Sequence, residues 1–265
     1  GWCDWSSDVC SSDLTGSSEF ACDLHIHSTL SPCGSLDMSP RAIVEKAREA
    51  GLDIIAVTDH NMAENTPYVR EAGERSGLVV LAGMELQTME EVHVIAIFDD
   101  YDTAYALQLM VYDLLPPVAN DVEFWGDQVV VDGEDNIVRS EERLLISSAG
   151  ISIEEAVSWI KSHGGIAIAS HVDSPTFSII SQLGFVPADI PFDALEIRDR
   201  GKAGDLMPFI MRKGLPFVTF SDAHYPGDIG KRRTHLTLDA PDCVSIEGAL
   251  RALGEQSLTG QAGRS

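Results

Sequence analysis

Short apolar runs that end in histidine or carboxylate motifs constrain this chain more than any other feature of its sequence. Strand-like runs at 20–26, 52–57, 78–84, 92–98, 165–170, 193–198 and 215–220 are interleaved with helical stretches at 39–50, 64–76, 102–115, 152–162 and 205–213. Ser39 stands as an N-cap ahead of Pro40, and Ser152 and Glu155 have capping-box spacing. Alternation of strand and helix predicts an α/β fold with a mainly parallel sheet, and seven strands suit a barrel. One stretch departs from the pattern. Within 120–146, QVVVDGEDNIVR reads as a β-hairpin around DGEDN, expected to be an insertion that covers the site or supports a homo-oligomer.

The bulk numbers bound the reading. A chain of 265 residues that is 44% hydrophobic can bury one large core, so residues 15–265 are expected to form one barrel domain. Residues 1–14, GWCDWSSDVCSSDL, resemble translated sequencing-adapter read-through and are expected to be a non-native or disordered tail. Five scattered cysteines give no disulfide framework and read as reduced thiols of a cytoplasmic protein. No run of about 18 apolar residues is present, so no membrane partner is expected. A formal net charge of -24 opposes binding that depends on neutralising many phosphates, which predicts a small phosphorylated substrate and no long nucleic acid.

Six of the eight histidines fall in five motifs: DLHIHS at 23–28, TDH at 58–60, EVHV at 91–94, SH at 170–171 and SDAH at 221–224. Side chains two apart on a strand share a face, which pairs His25 with His27 and Asp222 with His224. Most motifs close a strand at its carboxyl end, the face on which barrels of this type assemble active sites. Imidazoles and carboxylates gathered there suit Zn, Mn or Fe. Glu85, in GMEL, closes 78–84 in the same way. Each residue has a plainer alternative when taken alone: Asp59 and His60 as caps, His93 as a hydrogen-bonded core histidine, Glu85 as a solvated strand end. Their convergence argues for ligands instead. His163, at a helix carboxyl end, and His235, in THLTL, are expected to be structural.

In this order DLHIHS, TDH, GME, EVHV, SH and SDAH resemble the PHP (polymerase and histidinol phosphatase) family, over roughly residues 20–240. The resemblance implies a distorted (β/α)7 barrel carrying two or three divalent metal ions. It assigns His25, His27, Glu85 and Asp222 to one ion, Glu85, His93 and His171 to a second, and His60 and His224 to a third. The family usually has an aspartate five residues after the second histidine of the first motif. That place is Pro32 here, followed by Cys33, so the third ion either loses a ligand or takes the Cys33 thiolate. The implied chemistry is phosphate ester hydrolysis through a metal-bridged hydroxide. His60 and His224 would stabilise the departing oxygen, Asp59 would orient a ligand, and Arg198 would hold the phosphate, with Lys231, Arg232 and Arg233 as further cations. A small phosphorylated metabolite or nucleotide is the first expected substrate, a nuclease or oligonucleotide-trimming activity the second, and a non-catalytic metal-binding domain the third.

Overall fold

A computed structural model describes residues 16–262, so the expectation for residues 1–14 lies outside the described residues. Among the described residues ten strands occur in chain order: β1 (Ser18–Ile26), β2 (Ile54–Val57), β3 (Val79–Gln87), β4 (His93–Phe98), β5 (Val129–Val131), β6 (Ile137–Ser140), β7 (Ile166–Ala169), β8 (Ala194–Glu196), β9 (Phe217–Val218) and β10 (Thr234–Leu238). Eight of them form one sheet in the order β10-β1-β2-β3-β4-β7-β8-β9. The sheet curls into a nearly closed barrel. Where β9 and β10 approach, the Thr234 hydroxyl accepts from Thr219 N at 2.9 Å and donates to Thr219 O at 3.0 Å. Above that point Ala223 bridges Ile26 of β1, with His27 N donating to Ala223 O at 2.9 Å.

The α/β barrel matches the sequence reading, but its strands are less uniformly parallel. β1 pairs antiparallel with β10, β3 with β4, and β4 with β7. Only five residues separate Gln87 from His93, too few for the crossover that a parallel pair needs. THLTL supplies an eighth strand, β10. The helix expected at 205–213 is instead a turn of helix at Ala203–Leu206 followed by a 3-10 turn at Met207–Phe209, because Pro208 has no amide hydrogen to continue the ladder. A helix at Cys243–Ala262 was not anticipated. The helices Pro40–Glu49 and Ile153–Ser162 form with the expected Ser39 cap and Ser152–Glu155 capping box.

One buried apolar cluster fills the barrel. It takes Cys22 and Leu24, Ile54 and Ala56, Leu81, Ile95 and Ile97, Ile166 and Ile168, Ala194, Val218, and Leu236 and Leu238, and the Cys243–Ala262 helix adds Cys243, Ile246 and Leu250. Alternate residues of the same strands belong to two further clusters shared with the helices. Within 120–146, β5 and β6 pair antiparallel in a sheet of their own. This unit leans on the loop after β1: Val129 N donates to Thr29 O at 3.0 Å, and Val131 N donates to Asn65 Oδ1 at 3.0 Å. Gly126, at φ 101°, passes so near Pro32 that a Cβ would fall 2.3 Å from the Pro32 carbonyl oxygen. No helix among the described residues is long and apolar enough to cross a membrane.

Candidate metal centre

A β-bulge aims the first motif. In β1, Cys22 and Leu24 face the barrel interior while Ala21 and Ile26 face the outer layer. The β1–β2 register slips between Asp23 and Ile26, which inserts an extra residue. Strict alternation would have turned His25 outward with Asp23; the bulge turns His25 and His27 inward, as bulges beside active sites do. Asp23 stays on the other side. Its carboxylate accepts from Ser221 N and Gly230 N, both at 2.9 Å, and so anchors the SDAH segment to β1. Burial pushes the Asp23 carboxyl up to about 6.

The remaining strands deliver their donors by simple alternation. His60 continues the inward row of Ile54 and Ala56, Glu85 that of Leu81, and Glu196 that of Ala194. His93 precedes Ile95 and Ile97 on the antiparallel β4, so its amino end reaches the same rim. Gly83 lets this crowding happen, since a Cβ there would lie 2.5 Å from Ala96 O.

Glu85 is the hub. Its two oxygens lie 3.0–3.5 Å from ring nitrogens of His25, His27, His60, His93 and His171. Asp222 Oδ1 lies 3.4 Å from Nε2 of both His25 and His27. The His224 ring stacks on His27 with centroids 4.1 Å apart. Asp222 and His224 do not arrive as a strand pair, because Asp222 has φ 52°. Three sets of donor atoms lie within 4.8 Å of one another: His27, His60 and His224; His25, His27 and Asp222; His60, Glu85 and His93. Despite the short distances, His60 Nδ1, Glu85 Oε1 and His93 Nδ1 are buried without an aligned hydrogen bond. Donor atoms that crowd one another without hydrogen-bonding fit shared metal ions better than a polar core.

Partners behind the rings set which nitrogen faces the centre. His25 Nδ1 meets both Glu196 oxygens at 3.0 and 3.1 Å. His27 Nδ1 donates to Ser31 Oγ at 2.9 Å, and that hydroxyl donates to Asp59 Oδ1 at 2.7 Å. Asp59 also accepts from Ser28 N and Ser28 Oγ, so it organises the loop after β1 and reaches His27 through Ser31. His224 Nδ1 donates to Asp222 O at 2.9 Å, and His93 Nε2 meets Gln87 Oε1 at 3.2 Å. Glu196 additionally accepts from His171 N at 2.9 Å. Glu196, Gln87 and Ser31 were not singled out from sequence. Ser31 lies three residues beyond DLHIHS, directly before Pro32, and Glu196 occupies an inward strand position two before Arg198.

Electrostatics follow the packing. Burial disfavours the charged form of His25, but Glu196, Glu85 and Asp222 outweigh it and hold the imidazole well above its usual value. Burial likewise opposes ionisation of Glu85, yet His93 and His25 keep its carboxyl well below the usual range. Asp222 is also held low against burial, chiefly by His25. Burial, and then the His224 charge, push His27 down to about 4; burial and His27 push His60 well down. These two rings are therefore neutral donors at pH 7.

Arg198 reaches the rim, with Nη2 2.7 Å from Asp222 Oδ2 and its side chain 43% exposed. The other three cations do not reach it. Lys231 pairs with Asp228, Arg232 binds the Phe220 and Ser221 carbonyls, and Arg233 binds Gly230 O and Ala50 O. Cys33 is exposed as a residue, but its Sγ lies 3.3 Å from His60 Nε2. Burial of the thiol, and then the Glu85 charge, push it up to about 12 in the metal-free protein. His163 stays on its helix, donating to Trp159 O at 2.8 Å, and His235 lies exposed on β10.

An α/β barrel with imidazoles and carboxylates crowded at one rim defines a class, the metal-dependent barrel hydrolases. The PHP domain family model matches residues 23–172, more than half of the sequence, and the chain belongs to that family. An uncharacterised protein of Methanocaldococcus jannaschii is 26% identical over 183 residues, 66% of this chain and 79% of that protein. A PolC-type DNA polymerase III of Oceanobacillus iheyensis is 33% identical over 92 residues, 35% of this chain but 6% of the polymerase. The 5′-3′ exoribonuclease Rnm of Salmonella typhimurium is 39% identical over 77 residues, 28% of this chain and 25% of its own. Among solved structures, a lesion-specific endonuclease of Pyrococcus furiosus superposes with a TM-score of 0.63 at 18% identity, over 89% of this chain and 56% of that one. Endonuclease Q bound to a 27-mer duplex gives 0.59 at 16% identity, over 89% and 57%. Both structures share the fold. Family and relatives place the chain among hydrolases acting on phosphate ester bonds.

These comparisons correct one expectation. The net charge of -24 predicts no long nucleic acid, yet the same fold holds a 27-mer duplex in endonuclease Q, and a relative is an exoribonuclease. Net charge averages over the whole surface, whereas a strand meets one face, so the sum does not decide the partner.

Proposed function

We propose that this chain is a metal-dependent phosphoesterase whose substrates are nucleotides, either free or at the end of a strand. The convergence of six imidazoles with Glu85 and Asp222, several of their buried donor atoms lacking aligned hydrogen bonds, carries the reading. His25, His27, Glu85 and Asp222 would hold one ion and Glu85, His93 and His171 a second, with Glu85 shared between them. His60 and His224 close the third corner together with His27, flanked by Cys33 where Pro32 supplies no carboxylate. When bound, divalent Zn, Mn or Fe supplies an activated water and positive charge for the phosphoryl oxygens.

The chain's own residues orient and balance that centre. Glu196 takes the Nδ1 hydrogen of His25 and keeps Nε2 for coordination, and Asp59 does the same for His27 through Ser31. Arg198 spends one N–H on Asp222 and has the rest of its guanidinium fork for a phosphate oxygen. His224, at 23% side-chain exposure the most open of the six imidazoles, is the group placed to meet the departing oxygen.

Elemental analysis of the purified protein, combined with hydrolysis of mononucleotides, dinucleotides and short strands, tests the reading. Two or more metal equivalents are expected, with activity that a chelator abolishes and Zn, Mn or Fe restores. A protein that binds less than one equivalent and cleaves none of these substrates with any of the three metals would refute it.

A further inference from the structure

Beside the rim, one large side chain adopts a backbone conformation that large side chains avoid. Phe177 has φ 55°, in the left-handed region where the Cβ of a non-glycine residue crowds the following carbonyl. The turn is held from both sides. Phe177 O accepts from His93 N at 2.9 Å, and the next residue, Ser178, caps the helix Ile179–Leu183 while its hydroxyl donates to Ser174 O at 2.8 Å. The result is a ring laid parallel to the His93 imidazole, 9° from coplanar with centroids 4.9 Å apart. Burial of an apolar ring does not account for this placement, because Phe177 remains 39% exposed. Backbone strain that persists at a functional rim points to a task for the side chain it presents.

We infer that Phe177 is a substrate-positioning residue that stacks the base of the nucleotide whose phosphate is cleaved. The inference rests on the phosphoesterase reading above and names how that site grips its substrate. A stacked base would lie one ring beyond the imidazole that faces Glu85, so phosphate and base of a single nucleotide are served by adjacent groups. Of the four cations followed above, Arg198 reaches the rim, and an aromatic face adds affinity for the base that draws on no further cation. Stacking on an aromatic side chain contributes about 1–3 kcal/mol per base, or about 5- to 150-fold in affinity.

The test compares substrates with and without a base on metal-loaded protein. Phe177→Leu is expected to raise KM for a 5′-phosphorylated dinucleotide by about 5- to 150-fold with kcat within about twofold. The same dinucleotide lacking its bases should be unaffected, metal content should stay at the parent level, and Phe177→Trp should restore KM. Equal losses on both substrates would show that the ring only steadies His93, and no loss on either would show that it does nothing for binding; each overturns the inference. Binding of adenosine monophosphate and of ribose 5-phosphate is measured in parallel. A selective loss of adenosine monophosphate binding in Phe177→Leu supports stacking whether or not hydrolysis is seen. Failure of the parent to hydrolyse any phosphate ester defeats the phosphoesterase reading alone.

Discussion

The inward faces of the strands carry two chemistries, one stacked above the other. In the lower rows Leu24, Ile54, Ala56, Leu81 and Ile97 fill the barrel with apolar side chains. One row higher the same faces present His25, His27, His60, Glu85, His93 and Glu196. The rows differ in strain as well. Asn61, His171, Phe177 and Asp222, four of the six non-glycine residues with positive φ among the described residues, stand at or beside the rim. Polar atoms without aligned partners gather there too. A close-packed barrel below is what permits a strained, unsatisfied ring of donors above, so stability and chemistry are divided by height along the strands.

Substitutions on either side of that boundary break the comparison in opposite ways. Glu85→Gln should have the largest effect, since one carboxylate serves five imidazoles. Loss of at least one metal equivalent and a fall in turnover of roughly a thousandfold or more is expected, because a bound ion contributes several kcal/mol to the transition state. Elemental analysis beside steady-state rates checks it, and unchanged metal content would remove Glu85 from the ligand set. Ile95→Ala, two residues along β4 from His93, should do the reverse. Chemical denaturation should show about 2–5 kcal/mol of lost stability, while the folded fraction keeps its full metal complement. A change in metal stoichiometry would mean that the two rows are not separable.

Behind the rim, Glu196→Gln should weaken metal affinity or turnover by about 10–100-fold, the range for groups that orient a ligand, and a chelator competition titration reads it. The smallest expected signal is a proton. His25 is held well above its usual value by Glu196, Glu85 and Asp222 despite burial, so it is charged at pH 7 in the metal-free protein. Coordination at Nε2 must displace that proton, which makes metal binding weaken as pH falls and release about one proton at pH 7. Calorimetry in buffers of different ionisation enthalpy measures the release. Glu196→Gln should reduce it, and a parent that releases none would show that His25 is not displaced from its charged form.

The site was more legible in the sequence than the path of the sheet. Histidines and carboxylates are too costly to bury without a purpose, so DLHIHS, TDH, GME, EVHV, SH and SDAH stand out locally, and the structure brings their six imidazoles, Glu85 and Asp222 to one rim, with the ninth candidate, Cys33, beside His60. The β1 bulge was not legible, because alternation alone already placed His25 with His27 and gave no sign that both needed an extra residue to face inward. Glu196, Gln87 and Ser31 escaped notice because their role depends on distances across the fold. The antiparallel β3–β4 turn was readable from the five residues between Gln87 and His93, and Cys243, Ile246 and Leu250 carry helical spacing that the assumption of strand–helix alternation overlooked.

The Thr234 hydroxyl, which joins the two ends of the sheet, has a consequence for how the molecule breathes. Most neighbouring strands are zipped by rows of backbone bonds, but β9 and β10 themselves are fastened by one rotatable group, while the segment after β9 is tied to β1 through the Ala223–Ile26 bridge and the Asp23 carboxylate. A cylinder fastened in this way opens first at its seam. Amide hydrogens of Phe217, Val218 and Thr219 should therefore exchange with solvent sooner than those in the long β3–β4 ladder. His25 stands on one side of the seam and Asp222 on the other, so an ion gripped by both would act as a clasp, and loading the site would slow the opening of the whole cylinder.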